Sequence, residues 1–469
     1  MIMSEVVIGL ETHVQLNTNT KMFCGCSIRN IPEEPNTRCC PTCLGMPGSK
    51  PRLNKKTIEA GIKIALALGC EMPTETFFSR KTYFYPDMSK NFQITQYEIP
   101  LAKKGKLETI DLEGKRKIIN IERINLEEDP AKLQHIGGDI TTANYVLIDY
   151  NRSGIPLCEI VTKPDFSSSK EVRIFLKRLS TILEYLGVFV KGEMSLKTDV
   201  NISLKGHERI EIKNISSFGD IEKAIEYEIV RQRDYIRRGE EIVRETMTWD
   251  PDSRSTKTLR KKEVEEDYGY IFEPDLTMIE IKKDMIEEIK ETLPELPHQK
   301  FERYKKEFNI STELAFAITS DLELAQFYEE TVKGVDPKFA AGWMSILKKT
   351  LFYNDLDLKD TKINVKMFVD LLKLMQNGKI TERGGEMILR EIILKPEEFD
   401  GLVKNYSKVE VGSVENIVNT ILKENEKAVK EFKNGEEKAL DFLVGQVIKK
   451  TGNRVDAKKV REVIRSKIK

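Results

Sequence analysis

The chain has 469 residues, 40% of them apolar, and its 76 Lys+Arg are balanced by 76 Asp+Glu. That length is enough for about two to four domains, and a formal charge of zero excludes a general polyanion binder, leaving nucleic-acid contact to a local patch. No run of about 18 apolar residues is present, so no transmembrane helix is expected.

The N-terminal "MIMSEVVIGLETH" lacks a basic start followed by a long apolar stretch, so no signal peptide is expected. "EVVIGLETHVQL" alternates as a strand: Ile8, Leu10, Thr12, Val14 and Leu16 on one face, Glu11, His13 and Gln15 on the other. "FCGCSIRNIPEEPNTRCCPTC", residues 23–43, then holds five of the seven cysteines. Seven is an odd number in a large chain, which predicts free thiols in a reducing cytoplasm rather than disulfides. Cys24 and Cys26 form a C-x-C pair, and Cys40 and Cys43 a C-x-x-C pair; four thiolates among prolines and glycines fit a closed, structural zinc knuckle. Cys39 is an alternative to Cys40, and free thiols packed in a loop are the plainer reading.

"KKTIEAGIKIALALG" reads as a helix stopped at Gly69. "SRKTYFYPDMSKNFQITQ" brings Arg80, Lys81 and Lys90 near Tyr83, Phe84 and Tyr85, where cations could meet phosphates and rings a base; taken alone it is a surface turn around Pro86. "RKIINIERINLEE" and "NYVLIDYN" are rich in β-branched residues and read as strands. In "SSSKEVRIFLKRLSTILEYLG" the period becomes helical, with Val172, Phe175, Leu176, Leu179, Leu183 and Leu186 as one stripe, Ser168 and Glu171 as a capping box and Gly187 as the stop. Strands return in "KTDVNISL" and "RIEIKNIS", followed by the charged helix "DIEKAIEYEIVRQRDYIRRGE". "ETLPELPHQ" is a linker candidate. Beyond it the pattern is helical, and from residue 411 onward 14 Lys+Arg against 9 Asp+Glu leave 14 − 9 = +5.

Glu11 and His13 share one strand face. Glu127 and Glu128 end another strand, Asp149 and Glu159 bracket "LIDYNRSGIPLCEIVTKPD", and Asp199, Asn201 and Glu211 lie on the polar faces of two later strands. A sheet face this acidic is costly unless it is wet or binds cations, and oxygen donors suit Mg²⁺ bridging to phosphates. Ordinary solvated charges account equally well for any single one of these acids. Neither a G-x-x-x-x-G-K-[ST] loop nor a strand–G-x-G-x-x-G–helix unit is present.

"LIDYNRSGIPLCEIVTKPDF" fills every position of D-x-N-R-x-G-x-P-L-x-E followed by P-D, and resembles the signature of the B subunit of aspartyl/glutamyl-tRNA amidotransferase. "GLETHVQL", "RKTYFYPDMSKNFQITQ", "INLEEDPAK", "DVNISL", "EIKNISSF", "YIFEPDL" and "FLVGQVIKKTG" look like further blocks of that family, in its order and across nearly the whole chain. A related archaeal E subunit carries a large inserted domain for which 469 residues leave no room. One block departs: many members read D-Y-R-Y-F-P-E-P-D, and here "DYGYIFEPD" puts Gly269 at the Arg position.

The resemblance implies an α+β fold. Its parts would be a β-rich cradle similar to the glutamine synthetase catalytic domain (1–293, with the knuckle at 24–43), a helical domain (294–408) and a tRNA-contacting tail (409–469). It implies a ligase component that uses ATP to phosphorylate the side-chain carboxylate of Asp on tRNA(Asn) or Glu on tRNA(Gln). Ammonia released by an amidase A subunit would complete the amide, with a small C subunit tying the two together. By motif match, Glu11, His13, Glu127 and Glu128 fall in the Mg²⁺ and ammonia region, with Glu11, His13 and Glu128 as Mg²⁺ ligands. Lys81, Tyr83, Tyr85 and Lys90 fall on the nucleotide side, and Arg152, Glu159, Asp199 and Glu211 complete the site. Two other readings compete: a non-catalytic zinc-containing tRNA-binding adaptor, and a free-standing enzyme acting on small amino acids.

Overall fold

The computed structural model describes residues 5–30, 34–110, 113–138, 142–261, 269–407, 411–452 and 454–468. The chain divides into two compact units, Met1–Leu296 and Pro297–Lys469.

In the first unit, β1 (Val6–Gln15) is followed by α1 (Lys55–Ala67), β2 (Glu75–Thr76), β3 (Ser79–Thr82), β4 (Phe92–Thr95), β5 (Ala102–Ile110) and β6 (Arg116–Glu128). Then come β7 (Lys132–Ile136), β8 (Tyr145–Asp149), β9 (Pro156–Thr162), α2 (Ser169–Tyr185), β10 (Leu196–Leu204), β11 (Ile210–Ile215) and α3 (Phe218–Arg238). β12 (Glu245–Asp250), β13 (Ser255–Lys261), β14 (Gly269–Phe272), β15 (Ile279–Glu280) and α4 (Lys283–Glu291) complete it. Eight strands form one sheet in the order β13-β12-β11-β10-β1-β9-β6-β5, so the first strand of the chain lies near its middle. All neighbours are antiparallel except β11 and β12. β14, β3 and β4 make a small separate sheet, and β7 pairs with β8 as a hairpin.

Alternation decides which face is dry. Ile8, Leu10, Thr12, Val14 and Leu16 are buried, as are Ile124 and Leu126 of β6, Cys158 and Ile160 of β9, and Val200 and Ile202 of β10. α2 packs on β5 and α3 on β10 and β11, while α1 lies against β5 and β6. The expected stripe of α2 is fully used: Val172, Phe175, Leu176, Leu179, Leu183 and Leu186 are all buried, each such side chain contributing about 1.5–3 kcal/mol of transfer free energy. Its cap is half of the expected box. Ser168 accepts from the Glu171 N–H, but the Glu171 carboxylate accepts from the Ser167 N–H at 2.8 Å, one residue earlier than the reciprocal bond requires.

The second unit begins inside the expected linker, because Pro297 is the first residue of α5 (Pro297–Glu307), a position where a missing N–H costs nothing. α6 (Thr312–Thr319), α7 (Leu322–Thr331), α8 (Pro337–Tyr353), α9 (Val365–Gln376), α10 (Glu382–Ile392) and α11 (Phe399–Tyr406) follow. Ser311, Asp321, Asp336, Asn364 and Thr381 cap five of them with their side chains, which is what separates so many short helices. α12 (Val411–Glu424), α13 (Glu426–Lys433), α14 (Glu437–Lys450) and α15 (Ala457–Ile468) enclose a core of their own around Val418, Leu440, Leu443, Val447, Val460 and Ile464. The fold is therefore α+β, with the sheet N-terminal and helices C-terminal. No helix among the described residues is long and apolar enough to cross a membrane.

Candidate active site

The face of the large sheet opposite the helices is polar because Glu11, His13 and Gln15 of β1 lie on it, and the register extends that pattern to its neighbours. Glu11 stands opposite Asp199 of β10, and His13 opposite Lys197 of β10 and Glu159 of β9. Glu159 in turn faces Asn125 of β6, and Asn201 faces Glu211 of β11. Cross-strand partners point to the same side, so segments as distant in sequence as residues 11 and 211 share one surface.

Two clusters result. In the first, carboxylate oxygens of Glu11, Asp199 and Glu211 lie within 4.8 Å of one another. Lys213 Nζ reaches Asp199 Oδ2 at 3.0 Å and Glu211 Oε1 at 3.2 Å. Burial opposes the charge of Lys213, but Asp199, Glu211 and Glu11 outweigh it and raise its pKa. Asn201 Nδ2 donates to Glu11 Oε1 at 2.9 Å, leaving Asn201 Oδ1 buried with no hydrogen-bond partner. In the second cluster, His13 Nδ1 and Glu127 Oε1 are 3.0 Å apart, and Thr95 Oγ1 donates to Glu127 Oε2. Burial alone would lower the His13 pKa; the bond to Glu127, with Glu159 and Asp199 nearby, raises it to about 10. Glu127 is lowered, because His13 overcomes its burial. Glu159 moves up, through burial and the charge of Glu127.

Glu127 and Glu128 are neighbours on a strand and so diverge. Glu128 leaves the His13 cluster, pairs with Lys90 Nζ, accepts from the Ile94 N–H at 2.9 Å, and thereby ties β4 to the end of β6. Of the expected trio Glu11, His13 and Glu128, the three-carboxylate group contains Glu11 alone. Lys81 Nζ stands 5.9 Å from the Tyr83 ring centre and contributes to the lowering of Glu127. Tyr83 and Tyr85 are half-buried in the loop between β3 and β4, and Phe84 between them is exposed. Arg80 is occupied by a bidentate pair with Glu273. Gly269 faces Thr82 across β14 and β3. Arg152 Nε and Nη2 donate to the Pro130 and Ala131 carbonyls, with Asp129 Oδ2 3.5 Å away. Burial pushes Asp129 up to about 6 against the pull of Arg152 and Lys197.

Sequence reasoning passed over Lys213, Lys197 and Asn125 as site residues. The signal was available: each stands two residues from a chosen acid on the same strand.

The sulfurs of Cys24, Cys26, Cys40 and Cys43 also lie within 4.8 Å of one another, a donor set that fits tetrahedral zinc. Cys39 instead directs its thiol toward Asn151 Oδ1. The Cys40 N–H donates to Cys43 Sγ at 3.2 Å. Hydrogen bonds from Cys24 and the Cys40 N–H, aided by Lys21, hold the Cys43 thiol low, while Cys24 is pushed up by the same pairing with Cys43 and by burial. The loop carrying these cysteines is bonded chiefly to residues 148–151 rather than to β1. Asn36 Nδ2 donates to the Ile148 carbonyl, the Tyr150 N–H to Asn36 Oδ1, and the Arg38 N–H to Asn151 Oδ1.

Against known families, residues 6–287 match the model described as the GatB/GatE catalytic domain, and residues 326–468 the one described as the GatB domain. The chain is 45% identical to the aspartyl/glutamyl-tRNA(Asn/Gln) amidotransferase B subunit of Methanosarcina mazei, covering 98% of each chain. It is 44% identical to the protein of that name from Methanococcoides burtonii, over 98% of this chain and 97% of the relative. The corresponding protein of Natronomonas pharaonis is 41% identical over the same shares.

Proposed function

The chain belongs to the family of aspartyl/glutamyl-tRNA(Asn/Gln) amidotransferase B subunits, and from that premise we propose that its acidic sheet face activates the side-chain carboxylate of an amino acid already esterified to tRNA. Amidotransferases are ligases that form a carbon–nitrogen bond. The substrate would be Asp on tRNA(Asn), Glu on tRNA(Gln), or both. An oxygen of that carboxylate bonds to the terminal phosphorus of ATP as ADP leaves. The nitrogen of ammonia then bonds to the carboxyl carbon as phosphate leaves. Direct amidation fails because oxide is a poor leaving group; phosphate is a good one. Ammonia would come from a glutaminase A subunit, with a small C subunit completing a cytoplasmic heterotrimer.

The observation that carries this reading is the pairing of the Glu11–Asp199–Glu211 group with the His13–Glu127 couple on one face. Three carboxylates and the partnerless Asn201 Oδ1 fit a hard, oxygen-seeking cation. Glu11, Asp199 and Glu211 would hold magnesium, which when bound supplies neutralisation between the carboxylate and phosphate oxygens. Ligation through His13 would require its proton to leave first. Lys213 pairs with Asp199 and Glu211 and would give way to the cation, Lys81 and Arg152 would supply positive charge for an anionic substrate, and Tyr83, Tyr85 and Lys90 would lie on the nucleotide side. Glu159, its pKa raised by burial, suits the proton that ammonium must lose before attack. Cys24, Cys26, Cys40 and Cys43 would hold a structural zinc. The tail from residue 409, with its own core and net positive charge, would contact tRNA.

The test uses the assembled complex with ATP, Mg²⁺ and each misacylated tRNA, without an ammonia source. ADP and a phosphorylated aminoacyl ester are expected, and Glu11→Gln should lose ATP cleavage while tRNA binding persists. No ATP cleavage with either misacylated tRNA would overturn the reading.

A further inference from the structure

Lys21 is fully buried. Its ammonium lies 3.1 Å from the Tyr150 carbonyl and 3.5 Å from Cys43 Sγ, and no carboxylate stands within 4 Å of it among the described residues. An ammonium held out of water costs several kcal/mol unless a negative group compensates it. The carbonyl supplies a dipole but no charge. Among the described residues, the anion-forming group in reach is the sulfur cluster. Four thiolates around a divalent cation carry a net double negative charge, so the buried cation and the loaded knuckle are electrostatic complements.

The second contact of the same ammonium leads toward the candidate active site. Tyr150 begins the turn between β8 and β9 that carries Arg152, whose guanidinium holds the Pro130 and Ala131 carbonyls just past the end of β6. The Gly154 N–H donates to the Asp129 carbonyl, and the Gly154 carbonyl accepts from the Met22 N–H, next to Lys21. On the far side of the knuckle, Ser89 Oγ donates to the Cys43 carbonyl, one residue before Lys90 and its pair with Glu128.

We propose that Lys21 is the positioning residue through which a metal-loaded knuckle fixes the Tyr150–Arg152 turn: its ammonium offsets the charge of the thiolates while its hydrogen bond to the Tyr150 carbonyl holds the turn in place. The inference rests on reading the four cysteines as a metal site. Loss of the metal would remove the counter-charge of a buried cation, and the turn would loosen although none of its residues touches the metal.

The test compares wild type with Lys21→Met, a side chain of similar length without charge or donor, in the full chain assembled with its partner subunits. Zinc affinity is read by chelator competition, and the knuckle by the visible spectrum of the cobalt-loaded protein. Hydrogen exchange is followed over residues 148–154, with α2 as the internal reference. The expected result is a roughly tenfold to hundredfold loss of zinc affinity in Lys21→Met, and faster exchange over 148–154 in that variant and in metal-stripped wild type alike, with α2 unchanged. Wild-type zinc affinity in Lys21→Met would overturn the proposal and leave the metal site standing. A wild type that binds neither zinc nor cobalt would overturn the metal site itself. If Lys21→Met does not fold, stripped and loaded wild type decide: equal exchange over 148–154 in the two overturns the proposal.

Discussion

His13 and Glu127 are the pair in which single-residue chemistry is most exposed to measurement. The imidazole is raised from 6.5 to about 10, so its contribution to stability is fully present below about pH 6.5 and lost as pH rises through about 10. Glu127 is lowered, so its contribution is present above its ordinary value and lost as pH falls through the depressed one. Across neutral pH the couple is therefore an ion pair. In magnesium-free protein, an NMR titration of His13 should show a midpoint near 10. Glu127→Gln removes the partner and leaves burial opposed only by Glu159 and Asp199, so the midpoint should fall; a midpoint unmoved by that change would contradict the assignment. The individual acids were readable in the sequence because a carboxylate on a strand is conspicuous. Their pairing was not: Glu127 joins His13 and Glu128 joins Lys90 because β6 turns adjacent side chains to opposite sides while β4 crosses its end.

At the level of elements, period-2 alternation made β1 and β10 visible, β-branched composition made β6 and β8 visible, and period-3.6 spacing made α2 visible. What alternation lacks is register. That Glu11 faces Asp199, rather than a residue two places away, follows from cross-strand hydrogen bonds between segments nearly two hundred residues apart. The loop between β3 and β4 shows the converse failure, since its strands are only four residues each and are recognisable only once paired. Gly154, in the turn after Arg152, has φ +85°, a conformation that costs an L residue about 1–2 kcal/mol. Gly154→Ala should destabilise the first unit by that amount, read as a lowered denaturant midpoint with an unchanged slope. Because the Gly154 N–H and carbonyl bind Asp129 and Met22, it should also speed exchange in the 148–154 turn. A midpoint equal to wild type would show that the turn relaxes without strain.

For the whole molecule, the carboxylate face lies in the first unit, while the C-terminal helices carry net positive charge and a core of their own. Deleting residues 411–469 should therefore weaken binding of misacylated tRNA more than it weakens basal ATP hydrolysis, with the first effect steepest at low salt. Equal losses in a filter-binding assay and an ATPase assay would mean that the tail acts only as structure. By itself the sequence determined the change from strands to helices across the linker at 291–299, the polar and apolar faces of β1 and β10, and the cysteine spacing that can gather four sulfurs. These are local properties, set by periodicity and by side-chain chemistry within a few residues. Only the tertiary structure decided which acids meet, that Lys213 stands between Asp199 and Glu211, and that the cysteine loop is fastened to the Arg152 turn through Asn36, Asn151 and Lys21. The reason is that contacts between segments far apart in sequence depend on strand order and register, and the free energy selecting these comes from the buried face, not from the polar side chains that the same choice brings together.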